Sequence, residues 1–157
     1  MIQFANLLIP AAVLLPNLLY AFWPAVNVPE ITDSPKSLVY KIAEGVGRAG
    51  VMIAPLFSAS PQIDLYELLF LSGMLIFLLL YYAGWARYLA GGREWALLFL
   101  PMAWVPVPMA VAPVLFFICA SLFIHSPLLL MSGLILGAGH IPASLHIYRQ
   151  FTESNKK

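Results

Sequence analysis

Charge is what this chain has least of. Only 10% of its 157 residues are Asp, Glu, Lys or Arg, 62% are hydrophobic, and the mean hydropathy is +0.89. A soluble domain of this size needs far more polar surface, so the composition specifies a multi-pass membrane protein. At about 20 residues per span plus connections, the length admits five or six spans and no separate soluble domain. A net charge of +1 with no long run of like charges excludes nucleic acid as a partner. The single cysteine, Cys119, excludes an intrachain disulfide and any multi-cysteine metal site. Before the first apolar run there is no basic segment, so the N-terminus is expected to be a retained helix starting near Met1, not a cleaved signal peptide. No GxSxG, HExxH, CxxC, Walker or glycine-rich nucleotide motif is present, so catalysis is not the leading expectation. No internal repeat supports an inverted-repeat transporter.

What is present is a series of apolar runs. Residues 2–23 carry no charge and predict a first helix with Pro10 and Pro16 inside it. A polar, proline-rich connection follows, after which Ser34 and Pro35 supply an N-cap and a first-turn proline for a second helix over 35–57. A third helix is expected over 64–89, started by Asp64 and Glu67 as interfacial charges. The uncharged stretch 95–124 predicts a fourth. As a straight helix it would reach about 45 Å against a hydrocarbon core of about 30 Å, which is too long. Pro101, Pro106, Pro108 and Pro113 therefore predict a break near Val105 to Pro108. His125, Ser126 and Pro127 mark a turn into a fifth helix over 127–149. The fold class expected is all-α: one integral membrane bundle of about five transmembrane helices, the fourth interrupted by proline.

Five spans also sort the charges. With the N-terminus outside, the inner side receives Lys36, Lys41, Arg87, Arg93, Arg149, Lys156 and Lys157, and the outer connections receive no lysine or arginine. The expected setting is a plasma or inner membrane with the C-terminus cytoplasmic. Tyr20, Trp23, Tyr81, Tyr82, Trp85, Tyr88, Trp95 and Tyr148 would gather toward the inner interface as an aromatic belt.

Chemistry is concentrated on the second helix. Lys41, Glu44 and Arg48 recur at three and four residues and form one polar stripe, while Leu38, Ile42, Val46, Ala49, Ile53 and Leu56 take the other side. Glu44 and Arg48 would enter the bilayer at roughly 10 and 16 Å along the helix, an i,i+4 pair that is costly to bury without further partners. Counted from the inner ends of their helices, His140 lies at roughly 14 Å and Pro106 at roughly 16 Å, if the rise is helical throughout. A polar cavity walled by the second, fourth and fifth helices is the resulting expectation. Its candidate ligand-binding residues are Glu44, Arg48 and His140, with Tyr40 and the mid-depth Trp104 beside them. Arg48 and His140 would also donate to the carbonyls freed by the broken fourth helix.

The function this predicts is binding or transport of a small amphipathic or ionisable molecule through an inner-facing cavity. An intramembrane lipid-modifying or isomerising enzyme using Glu44 and His140, or an accessory subunit of a larger complex, are the alternatives. No cofactor is expected, and the three histidines do not supply metal-ligand geometry. The partners expected are the lipid bilayer and a small-molecule or lipid ligand. The glycine-rich faces of the second and fifth helices, Gly45, Gly47 and Gly50 with Ser132, Gly133, Gly137 and Gly139, allow close helix contact or oligomerisation.

Overall fold

The computed structural model describes residues 3–30, 35–59, 64–102 and 104–154. The expected Ser34 cap, Lys156 and Lys157 lie outside them. Among the described residues there are five α-helices and no strand: α1 Leu8–Phe22, α2 Pro35–Ile53, α3 Leu65–Ala90, α4 Pro108–Phe123 and α5 Pro127–Ser154. Short 3-10 turns at Phe4–Leu7, Ala54–Phe57 and Trp95–Leu98 precede α1, extend α2 and stand alone before α4.

Local chemistry explains the starts. Asp64 caps α3 by accepting from the amides of Tyr66 at 2.7 Å and Glu67 at 3.2 Å. Ser126 caps α5, its hydroxyl accepting from Leu129 N at 3.2 Å, and Pro127 fills the first helical position, where no amide is needed. Pro10 falls in the first turn of α1 and Pro16 inside it.

The helices alternate in direction. Gly47 lies against Leu136, Gly50 against Ser132 and Gly139 against Glu44, so α2 and α5 run antiparallel. Gly73 meets Cys119 and Gly84 meets Met109, which makes α3 and α4 antiparallel, and Gly137 against Val114 with Gly133 near Phe117 does the same for α4 and α5. Asn17 pairs with Tyr81 and the Trp23 carbonyl with the Tyr88 hydroxyl, so α1 and α3 run parallel. One end of the bundle, the head, thus collects the starts of α1, α3 and α5 and the ends of α2 and α4. There Gln3 N donates to Leu56 O at 2.9 Å, and Asn6 reaches the carbonyls of Pro55 and Ala59, both at 3.2 Å. At the other end, the base, Val26 N donates to Arg93 O and Trp95 N to Val26 O, and the Trp95 ring packs on Phe151.

The core is centred on α4. Its residues are apolar all round, and Ala112, Val114, Phe116, Phe117 and Ala120 are buried between α3 and α5. Outward surfaces are leucine-rich: Leu8, Leu15 and Leu18 on α1, Leu69, Ile76 and Leu79 on α3, and Leu128 and Met131 on α5 are exposed. Among the described residues, three helices are long and apolar enough to cross a membrane: Phe4–Phe22, Leu65–Ala90 and Pro127–Ser154. An outward apolar surface of that extent suits lipid and not water.

Three expectations are revised. The stretch 95–124 is a helix only from Pro108; before it comes one 3-10 turn and an irregular segment, 99–107. Met102 and Val105 exchange backbone hydrogen bonds at 3.2 and 3.1 Å there, turning the chain in a tight hairpin. Val107 then adopts a left-handed backbone, φ +43°, fully buried, a geometry that costs a β-branched residue about 1–3 kcal/mol. Second, α5 continues past Arg149 to Ser154. Third, Tyr81, Trp85 and Tyr88 are buried, packed edge to face at centroid separations of 5.5 and 6.3 Å. This part of the expected belt is an interior ladder, with the Tyr20 ring closing over Trp85 and Tyr88.

Candidate functional site

The α2 stripe meets α5 through its acid. Glu44 and His140 are half-buried, with side chains 19% and 23% exposed, and His140 Nδ1 lies 3.0 Å from Glu44 Oε1. A carboxylate can only accept, so His140 donates through Nδ1–H and its Nε2 becomes the basic ring nitrogen. Arg48 pairs with the same oxygen of Glu44, one helical turn on. Its side chain is 62% exposed, so this cation stands on the rim with most of its hydrogen-bonding capacity outward. Lys41 follows on the same stripe and is exposed.

Glycine makes this pairing possible. A Cβ at Gly139 would overlap the Glu44 amide and stand 2.6 Å from the Tyr40 carbonyl, and one at Gly47 would overlap the Leu136 backbone. Only hydrogen fits at these contacts. The α2 and α5 backbones therefore approach closely enough for short side chains to bond across the seam. Gly47, Gly50, Ser132 and Gly139 thus lie in the α2–α5 contact within the chain, and Gly133 and Gly137 lie against α4; Gly45 has open space around it.

Of the expected site residues, the structure brings together Glu44, Arg48 and His140, with Tyr40 beside them through its carbonyl. Trp104 is different. It stands on the Met102–Val105 turn, 97% exposed and not at mid-depth, because the chain before Pro108 leaves the helix and does not rise with it. Pro106 shares that displacement. The freed carbonyls of this segment are indeed satisfied by a cation, but neither Arg48 nor His140 supplies it. Arg87, in the last turn of α3, donates through Nη2 to Leu97 O and Leu100 O, both at 2.7 Å, and through Nη1 to Pro101 O at 2.8 Å. Its position fourteen residues before the first of four prolines was the available signal.

A second acid also escaped the sequence reading. Glu67, expected as an interfacial charge, is buried at the head and lies 3.4 Å from His125 Nε2. The three histidines consequently have separate partners: His125 with Glu67, His140 with Glu44 and His146 with Gln150.

Comparison with protein-family models, with curated proteins and with solved structures finds no match, so the functional reading rests on these residues.

Proposed function

We propose that this chain spans the membrane five times, with the head outward and the base inward, and binds a small amphipathic anion along the polar stripe of α2. The single observation that carries this reading is the half-buried Glu44–His140 bond with the exposed guanidinium of Arg48 beside it. A structural pair closed on itself would hide its third member. Here the third member faces outward: the exposed guanidinium of Arg48 stands beside one carboxylate that His140 already engages. An anionic head group fits at Arg48, where a planar fork can hold two oxygens. Glu44 orients both donors, and His140 Nε2 offers a basic nitrogen to a ligand that carries a proton. The exposed residues Leu38, Ile42 and Val46 supply apolar surface on the same helix.

Charge supports the orientation. The base carries Arg87, Arg93, Arg149 and the basic start of α2, while the described residues of the head include the acids Asp64 and Glu67 and no lysine or arginine. The antiparallel alternation of all five helices is what five consecutive spans require.

The test uses the full chain in phosphatidylcholine nanodiscs, with octanoate as the anionic probe and octanol as the neutral control. Saturable octanoate binding that weakens about tenfold or more in Arg48→Gln supports the reading, since a charge-assisted bond is worth about 1.5–3 kcal/mol. Equal binding in both proteins overturns it. A small water-soluble thiol reagent, applied to cysteines at positions 44 and 140 in a Cys119→Ser background, should label both from the base side. Protection from both sides would mean a dry network, and an accessory subunit that meets another membrane protein would then be the better description.

A further inference from the structure

The head holds a second site, made of residues the stripe does not use. Glu67 occupies the third position of α3, where with Asp64 as N-cap a glutamate ordinarily turns back to the cap amide. It does not. Its side chain turns inward, 6% exposed, with Oε1 3.4 Å from His125 Nε2 and Oε2 without any hydrogen-bond partner. A buried carboxylate oxygen left unpaired is expensive, and it is tolerated here only at the positive end of a helix, beside one imidazole. Residues 64–71 and 121–130 include no lysine or arginine that could satisfy it.

Beside this pair lies a recess of about 270 Å³ lined by Ser121, Leu122, His125, Ser126, Pro127 and Leu130. Both serine hydroxyls are already engaged: Ser121 donates to Ile118 O at 2.6 Å and Ser126 accepts from Leu129 N. The remaining polar group on its wall is His125, which touches the recess on one side and Glu67 on the other. His125 is exposed, on the turn between α4 and α5, with a left-handed φ of +50°. It both lines the apolar recess and neighbours the unsatisfied acid.

We propose that this recess binds a small amphipathic amine, its ammonium held by Glu67 and its hydrocarbon lying along Leu122, Pro127 and Leu130. An ammonium has three donors and a full positive charge, so it can take the unpartnered Oε2 and replace the imidazole at Oε1 while His125 swings outward. An alcohol brings one donor and no charge, and an anion is repelled. The volume is at the small end of ligand sites, which limits the guest to a short chain. This inference stands independently of the α2 stripe, which is basic and uses none of these residues.

The probe is hexylamine, with hexanol as competitor, titrated against the full chain in phosphatidylcholine nanodiscs with empty nanodiscs subtracted. The expected result is saturable hexylamine binding, unaffected by equimolar hexanol, weakened about tenfold or more in the isosteric Glu67→Gln variant. Leu130→Trp, which fills the recess without touching any charge, should abolish binding, whereas His125→Ala should retain it. Hexylamine binding that is equal in wild type and Glu67→Gln, or that hexanol displaces, overturns the proposal. If Glu67→Gln does not fold, Leu130→Trp decides: undiminished binding there also overturns it.

Discussion

Replacing Arg87 by methionine removes a clasp whose strength can be worked out bond by bond. The methionine keeps the aliphatic stem against its neighbours and deletes three donors to Leu97 O, Leu100 O and Pro101 O. The bond to Pro101 is exposed, and water replaces it at little cost. The two bonds from Nη2 are partly buried, and at the lower bound for charged donors of about 1.5 kcal/mol each they contribute about 3 kcal/mol. For a chain of 157 residues that loss should lower the melting temperature by roughly 6–12 °C. Arg87→Lys should recover about half, because an ammonium on a single stem cannot span carbonyls that a fork reaches together. Thermal unfolding in mild detergent measures both. In parallel, a cysteine at Met102 in a Cys119→Ser background should react faster with a thiol reagent once the clasp is gone. A methionine variant that melts within about 2 °C of wild type, with unchanged labelling, would show that water serves these carbonyls equally well, and the argument from proline-freed carbonyls would fail.

Three further outcomes follow from the α2–α5 seam. Gly47→Ala should destabilise by about 1–3 kcal/mol or more, because the new methyl meets the Leu136 backbone, which cannot turn aside; Gly45→Ala, two residues away in open space, should be neutral or stabilise by up to about 1 kcal/mol in the same melting assay. Arg48→Ala should cost no more than about 0.5 kcal/mol in stability, as an exposed i,i+4 pair does, while removing octanoate binding. Glu44→Ala should cost about 1–3 kcal/mol, since it leaves the half-buried His140 Nδ1–H without an acceptor. Should Arg48→Ala prove the more damaging of the two to stability, the assignment of inner and outer partners would be reversed.

The Glu44–His140 contact was legible in the sequence because ionisable groups within apolar runs have few possible partners, and their distances from the helix ends agreed. That agreement required an unbroken helical rise on α2 and α5, which both helices have. The same arithmetic failed for Trp104 and Pro106, where the chain leaves the helix and turns back at Met102–Val105. Prolines located the break near its true place, yet residue spacing could not show that the polypeptide before it forms a hairpin. Arg87 and Glu67 looked like charges marking the ends of α3, since local pattern does not reveal whether a terminal side chain points to solvent or to a neighbouring element. The central place of α4 was hidden for a related reason. A helix that is apolar all round shows no preferred face, and it was the charged stripe of α2 that stood out.

The glycine seam also bears on the order in which the chain can be assembled. Glu44 and His140 are 96 residues apart, so α2 acquires its partner only when the last helix has been synthesised. Until then a 19-residue helix holding Lys36, Lys41, Glu44 and Arg48 has only its own Arg48 beside its acid and no cover for its bare glycine backbone. Such a segment is too polar to wait alone in hydrocarbon, and during translation its resting place is the interfacial layer or the shelter of the insertion machinery. A nascent chain stopped after Phe123 should therefore leave α2 open to proteases, and release of α5 should be the event that draws α2 into the bundle.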